Sequence, residues 1–257
     1  MAILRLFSII IVLVLTVIPL QAQWLHYPTP GIPRMPDGKP DLSAPAPRTA
    51  DGKPDLSGIW VVKDANGKYF QDLGASGLEI PMLPWAKTLY EQRKNSNQKG
   101  HPSERCLGHG VVDFDSLAAP RKIVQAPQVI AILFESYHQY RQILMDGRPL
   151  PEPTQPSYQG YSIGRWDGDT LVVETNGVND EGWLDMNGHP QTEATHITER
   201  FYRRNFGHMD LEVTIEDPKA YTKPFTVALT GWELLPDEEL IEAICENEKD
   251  SEHLVGK

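Results

Sequence analysis

Only two cysteines occur in the 257 residues, Cys106 and Cys245, and they stand far apart. No C-x-x-C pair exists, which excludes a zinc knuckle and a thioredoxin-type redox motif. Basic charge is also short. Twenty-four Lys and Arg face 35 Asp and Glu, a formal net charge of −11. Nucleic acid and anionic lipid both select a basic footprint, so neither is an expected partner. G-x-G-x-x-G and P-loop sequences are missing, so no nucleotide cofactor is expected. H-E-x-x-H is missing too, and the sequence assigns no organic cofactor and no metal. Beyond residue 20 no apolar run approaches the roughly 20 residues that cross a bilayer comfortably.

What is abundant points to turns and strands. Twenty-two prolines and 20 glycines favour tight turns and extended linkers over a helical bundle. Hydrophobic residues are 40% and charged residues 23% of the chain, enough to build a sizeable core. The length suits a single β-barrel domain.

The N-terminus carries a processing signal. A short basic start ending at Arg5 precedes the apolar run Leu6–Leu20, then Pro19 and the small Ala22 stand where a signal peptidase site needs them. Residues 1–22 therefore read as a secretory signal peptide, cut after Ala22, with export to the periplasm or beyond. Leu20 is not ideal at the third position before the cut, and the alternative is an uncleaved anchor. Loss of Arg5 would take the charge from −11 to −12. In an oxidising compartment Cys106 and Cys245 are expected to form a disulfide, the alternative being two separately buried thiols.

Residues 23–57 form a Pro-rich leader in which DGKPDLS occurs twice, at Asp37–Ser43 and Asp51–Ser57. Two copies are too few for a solenoid, and the expected role is an extended tether or surface strap. A single domain spans 58–257. A short helix is expected from Pro84, a favourable first-turn residue, ending in the polar stretch 95–100. From residue 121 onward, runs of β-branched and aromatic residues alternate with turn signals such as Asp146-Gly147, Asp167-Gly168 and Asp217-Pro218. The expected strands are 123–126, 129–135, 140–145, 170–175, 195–203, 209–216, 225–234 and 240–245. This is a mainly β chain, an antiparallel meander whose closure into a barrel would remove its edges.

Period-2 alternation assigns faces. Leu211, Val213 and Ile215 share one side of their strand. Glu199 shares a side with Ile197 and Phe201, and Arg141 with Ile143 and Met145. A carboxylate and a guanidinium on apolar faces must be paired or contact a ligand.

Gly58-Ile59-Trp60, at the mouth of a first strand ahead of a long meander, resembles the start of lipocalin-like (calycin) barrels. In that family a Gly-x-Trp plugs the closed end. Gly164–Thr175 (GRWDGDTLVVET) resembles the hairpins of several bacterial lipocalin-like families. Together with Asp51–Trp60, Tyr140–Pro149 and Asp217–Pro224 it is similar to an uncharacterised family of exported environmental-bacterial proteins, over residues 51–247. That likeness implies export and a barrel and carries no activity.

The long connection 176–194 has no periodicity of its own, the mark of a lid or binding loop. It gathers Trp183, Asp185 and His189 and leads to His196 and Glu199. The functional reading is a site at the barrel mouth. His189 with Asp185 would form an oriented acid/base pair, with Glu199 as a further catalytic carboxylate. Arg141, Trp183 and His196 would bind a small, partly apolar organic ligand. The plain alternative makes these residues ordinary turn formers and Trp183 a hydrophobic latch. A metal on His189, His196 and Glu199 gains nothing from the spacing, since His196 and Glu199 fall on opposite faces of a strand. His101 and His109 flank Cys106 in loop sequence and are expected in solvent. Gly160–Gly164 has the spacing of a nucleophile elbow, but Ser162 leads into a hairpin rather than a helix. The remaining alternative is a structural or envelope-interaction protein using its leader. No oligomeric state is assigned.

Overall fold

The computed structural model describes residues 28–63, 68–152, 155–241, 243 and 245. The expected signal peptide and the first five residues of the leader lie outside the described residues. The body is a closed barrel of nine strands that follow one another in chain order. They are β1 (Gly58–Val62), β2 (Arg121–Ala126), β3 (Val129–Phe134), β4 (Tyr140–Leu144), β5 (Tyr161–Asp167), β6 (Thr170–Asn176), β7 (His196–Arg203), β8 (His208–Glu216) and β9 (Phe225–Leu234). The mainly β, closed-barrel reading holds, and the architecture is consistent with a lipocalin-like barrel.

Closure has a topological consequence. Each antiparallel pairing reverses strand direction, so a ring of nine must contain at least one parallel pairing. That pairing is β4 with β5, joined at only two positions, Ile143↔Ser162 and Leu144↔Ile163. Every other neighbouring pair is antiparallel, and β1 pairs with β9 from Trp60↔Leu234 to Val62↔Trp232. The expected strand at 240–245 does not form among the described residues; Ala243 makes one isolated bridge to Ser136. Once β9 has closed on β1 there is no vacant edge for a tenth strand.

Alternation fills the interior. Buried Ile197, Glu199, Phe201 and Arg203 alternate with less buried neighbours along β7, as Met209, Leu211, Val213 and Ile215 do along β8. Trp60 and Trp232 are wholly buried, and the Trp60 indole N–H donates to the Leu56 carbonyl at 2.9 Å. Three α-helices accompany the barrel among the described residues: α1 (Lys68–Gln71), α2 (Pro84–Asn95) and α3 (Val111–Ser116). Pro84 opens α2 as expected. All six residues of α3 are buried, and no periodicity in so short a segment announces it. The Cys106–Cys245 disulfide is formed, spanning 139 residues.

The leader folds as two copies of one turn. Arg34 bridges to Pro40 and Arg48 to Pro54. Each arginine also donates to the carbonyl of its own turn glycine, Gly38 at 3.1 Å and Gly52 at 2.7 Å. Both glycines have positive φ, +83° and +80°, a backbone that favours glycine. The same arginines clasp the barrel's turns, Arg34 on Asp237 at 2.7 Å and Arg48 on Asp169 at 2.6 Å. The repeat is therefore a repeated clasp that lays the leader on the domain.

A polar spine crosses the core. Arg141 of β4 donates to both carboxylate oxygens of Glu199 on β7, to Thr175 Oγ1 on β6 at 2.9 Å and to Ser162 Oγ on β5 at 3.1 Å. Asp115 of α3 meets this pair, and burial, followed by the Glu199 charge, pushes its carboxyl well above the ordinary range. Arg121 caps the end of α3 through the Phe114 carbonyl at 2.6 Å and the Leu117 and Ala119 carbonyls. Burial lowers that guanidinium to about 10.

Removing one partner of such a pair strands a buried charge. Glu199→Gln is therefore expected to cost about 3–5 kcal/mol in urea unfolding. Asp115 behaves in the opposite sense. An acid whose folded pKa is raised contributes fully below its unfolded value, about 3.9, and loses that contribution as pH rises through the folded value. Asp115→Asn, permanently neutral, is expected to flatten the fall in stability that sets in above about pH 4 and to match or exceed wild type at pH 7. An unchanged slope would contradict this.

Candidate functional site

The loop 177–195 joins β6 to β7, and side-chain caps order it. Asp185 is the hub. Its Oδ1 accepts from the backbone N–H groups of Gly188 and His189 at 2.9 and 3.1 Å. Its Oδ2 accepts from Leu73 N at 2.7 Å and meets His189 Nδ1 at 2.6 Å. Gly188 sits at φ +94°, and a Cβ there would strike the Arg93 side chain at 2.5 Å. Glycine is needed at this place to let α2 approach. Asp217 performs the matching service, its carboxylate accepting from Thr192 N and Thr195 Oγ1, each at 2.8 Å, and from Lys219 N at 3.0 Å.

These anchors bring His189 and Asp185 together, as the spacing suggested, and both are buried. With Nδ1 held by the carboxylate, the ring nitrogen left for chemistry is Nε2. The imidazole stacks on Tyr90 of α2, ring centroids 4.1 Å apart. His189 and Tyr90 line a cleft of about 720 Å³ with Asp72, Lys87, Lys223 and the apolar Leu78, Ile80 and Met82. The 217–223 segment builds its far wall: Tyr221 bridges to Met82, and Thr222 N donates to the Pro81 carbonyl at 2.8 Å.

Charge is distributed unevenly around the dyad. Burial alone would push the Asp72 carboxyl up, but hydrogen bonds from Tyr90 and from Gly74 N hold it below the ordinary value. Burial raises the Tyr90 phenol and pushes Tyr221 well above its usual value, with the Asp185 and Asp217 charges adding to the effect. Burial lowers Arg93 to about 10. Arg93 lies over the Trp183 ring at 4.2 Å and donates to the Gly188 carbonyl at 3.1 Å.

The other expected site residues go elsewhere. Glu199 and Arg141 face inward as the alternation required, but they are packed within the core, at 0% and 2% exposure, and satisfy each other. Neither lines the cleft that His189 lines. Trp183 is buried against His101 in a T-shaped contact at 4.9 Å. His196 lies on the opposite face of β7 from Glu199 and joins neither group. Ser162 is buried on β5 and bonded to Arg141 and Thr175, so the nucleophile-elbow spacing has no elbow.

Sequence reasoning misplaced His101 and His109. Both are buried, at 1% and 2% exposure, around Asp113 on α3. His109 Nδ1 lies 2.6 Å and His101 Nε2 3.3 Å from Asp113 Oδ2. Burial opposes ionisation of Asp113, yet hydrogen bonds from the two imidazoles hold its carboxyl below the ordinary value. The one available signal was His109-x-x-x-Asp113, a separation of four that repeats Asp185-x-x-x-His189 in reverse. Asp72 and Tyr90 were missed as well, because nothing local marks residues that converge from separate segments.

Asp185 satisfies four donors in a buried place, and each donor left without its partner has a cost. Asp185→Ala is expected to destabilise the protein by about 2–4 kcal/mol and to loosen the 185–190 turn, with Asp185→Asn costing less. Chemical denaturation with hydrogen exchange at Gly188 and His189 measures both effects.

No protein-family model matches the chain, and no curated protein matches it.

Proposed function

We propose that the cleft between α2 and the 217–223 segment takes a small, partly apolar organic ligand, and that His189, oriented by Asp185, works on it by acid/base chemistry. The observation that carries this reading is the buried Asp185–His189 contact of 2.6 Å at the edge of a cleft of about 720 Å³. A carboxylate on Nδ1 fixes the tautomer and stabilises the imidazolium that forms when Nε2 accepts a proton. Lys87 and Lys223 offer charge to an anionic group of the ligand, while Leu78, Ile80 and Met82 offer apolar wall. The chemistry needs no organic cofactor: a hydrolysis, isomerisation or elimination step fits a single proton-transfer group. Glu199 and Arg141 serve the barrel instead of the ligand.

Export belongs to the same proposal. The N-terminal signal pattern supports it, as does the disulfide, which suits an oxidising compartment. Among the described residues no helix is long and apolar enough to cross a membrane. A partner-binding role for the leader has less support, because Arg34 and Arg48 are both engaged with the chain's own domain.

A thermal-shift screen against small organic acids, phenols and sugars tests the reading. A ligand that raises Tm in wild type is expected to lose at least about tenfold in affinity in His189→Gln, roughly 1.4 kcal/mol. In Glu199→Gln the starting Tm should fall while the ligand-induced shift persists. A shift that survives His189→Gln and disappears in Glu199→Gln would place the ligand inside the barrel and overturn the assignment.

A further inference from the structure

We propose that His101, His109 and Asp113 bind one divalent transition-metal ion of the zinc class. The three residues come from two short segments. His101 caps the 3-10 turn Pro102–Arg105, while His109 precedes α3 and Asp113 lies in its first turn. One donor atom from each lies within 4.8 Å of the other two. Two imidazoles and a carboxylate are the donor set of many three-ligand zinc sites.

The spacing is that of a coordination sphere drawn slightly inward. Zinc bonds of about 2.0–2.1 Å at tetrahedral angles set donors about 3.3 Å apart. His101 Nε2 stands 3.3 Å from Asp113 Oδ2, and His109 Nδ1 stands 2.6 Å from the same oxygen. An ion would replace the proton shared between His109 and Asp113 and would open that contact by about 0.7 Å. His101 Nδ1 lies 2.7 Å from Ser103 Oγ. That hydroxyl can accept an Nδ1 proton and so leave Nε2 its lone pair, the usual support of a ligating histidine. Ser103 N, at 3.2 Å, can instead donate to Nδ1, so Ser103 accommodates both tautomers.

A second observation points to a ligand independently. Asp113 Oδ1 is a buried polar atom without a hydrogen-bond partner among the described residues, and buried polar atoms are ordinarily paired. The other donor cluster, Asp72, Asp185 and His189, differs here. Each carboxylate oxygen of Asp72 and Asp185 already accepts a hydrogen bond. The cluster around Asp113 is closed off by Trp183 on His101 and by Phe114 and Tyr137 on His109. An ion there would have three protein side chains and leave its fourth position to a water or to the second oxygen of Asp113. It would pin the segment beside Cys106, α3 and, through Trp183, the loop that carries Asp185 and His189.

Cobalt titration of the chelator-stripped full chain tests the site without reference to activity. The expected result is visible absorption of tetrahedral intensity saturating at one Co²⁺ per chain, displaced by Zn²⁺. Zinc at a hundredfold excess over its Kd should raise Tm by about 5–10 °C. Asp113→Asn and His101→Gln should each weaken binding by about tenfold or more, while His189→Gln should leave the cobalt spectrum intact. No cobalt absorption together with an unchanged wild-type Tm would identify a hydrogen-bonded cluster and overturn the proposal, even if the variants fail to fold. So would a spectrum lost in His189→Gln but kept in a folded Asp113→Asn.

Discussion

The barrel depends on the guanidinium of Arg141. Nine strands cannot close without a parallel seam, and the seam between β4 and β5 is paired at only two positions. Arg141 projects inward from β4 and reaches Ser162 on β5, Thr175 on β6 and Glu199 on β7. One side chain thus ties together four consecutive strands at the place where main-chain pairing is thinnest. A hydrophobic residue of the same length could fill the volume but could not hold four strands in one register. Asp115 brings α3 to the same centre, and Arg121 fastens the same C-terminal end of that helix by its carbonyls. The polar spine therefore fixes both the wall and the helix packed against it.

Burial of that spine moves the candidate chemistry outside the barrel. A ligand entering the interior would have to displace a bidentate ion pair and expose two desolvated charges, a cost of several kcal/mol. The cleft beside α2 asks for no such sacrifice. Its walls come from segments that pack on the barrel rather than from the barrel itself: α2, the 72–82 stretch and the 217–223 turn. Asp185 and Asp217 play equivalent parts, each a buried carboxylate that collects backbone N–H groups and stiffens a loop with no regular structure. His189 inherits its position from this capping and needs no strand to hold it.

Strand faces were legible because period-2 alternation is local. Leu211, Val213 and Ile215 could be assigned inward from the sequence alone, and the same arithmetic placed Glu199 and Arg141 on core faces. What alternation cannot give is whether an inward polar group meets a ligand or a partner of its own, and here Arg141 and Glu199 meet each other. Loop residues obeyed a different logic. His101 and His109 sit in sequence that looks solvated, yet a six-residue helix and a disulfide draw them into the core. Trp183 turned inward for a similar reason, since Arg93 and His101 sandwich it from segments 80–90 residues away in the chain. The run at 240–245 has the composition of a strand, but propensity cannot create an edge in a barrel already closed.

The repeated DGKPDLS segment shows how a local pattern acquires a tertiary role. Each copy makes the same turn because Gly38 and Gly52 permit the same left-handed backbone and an arginine folds back on the turn carbonyl. That much is local. What the sequence repeat leaves open is where each arginine's remaining donors go, and they go to acidic residues on two different barrel turns, Asp237 and Asp169. The second clasp also delivers Leu56 into the core and its carbonyl to the Trp60 indole, so the leader supplies part of the barrel's own closure. A tether free to swing would leave that carbonyl and the indole N–H to find water inside the core. The leader is bound to the domain for the same reason that Arg141 is bound to Glu199: a buried polar group must bring its partner with it.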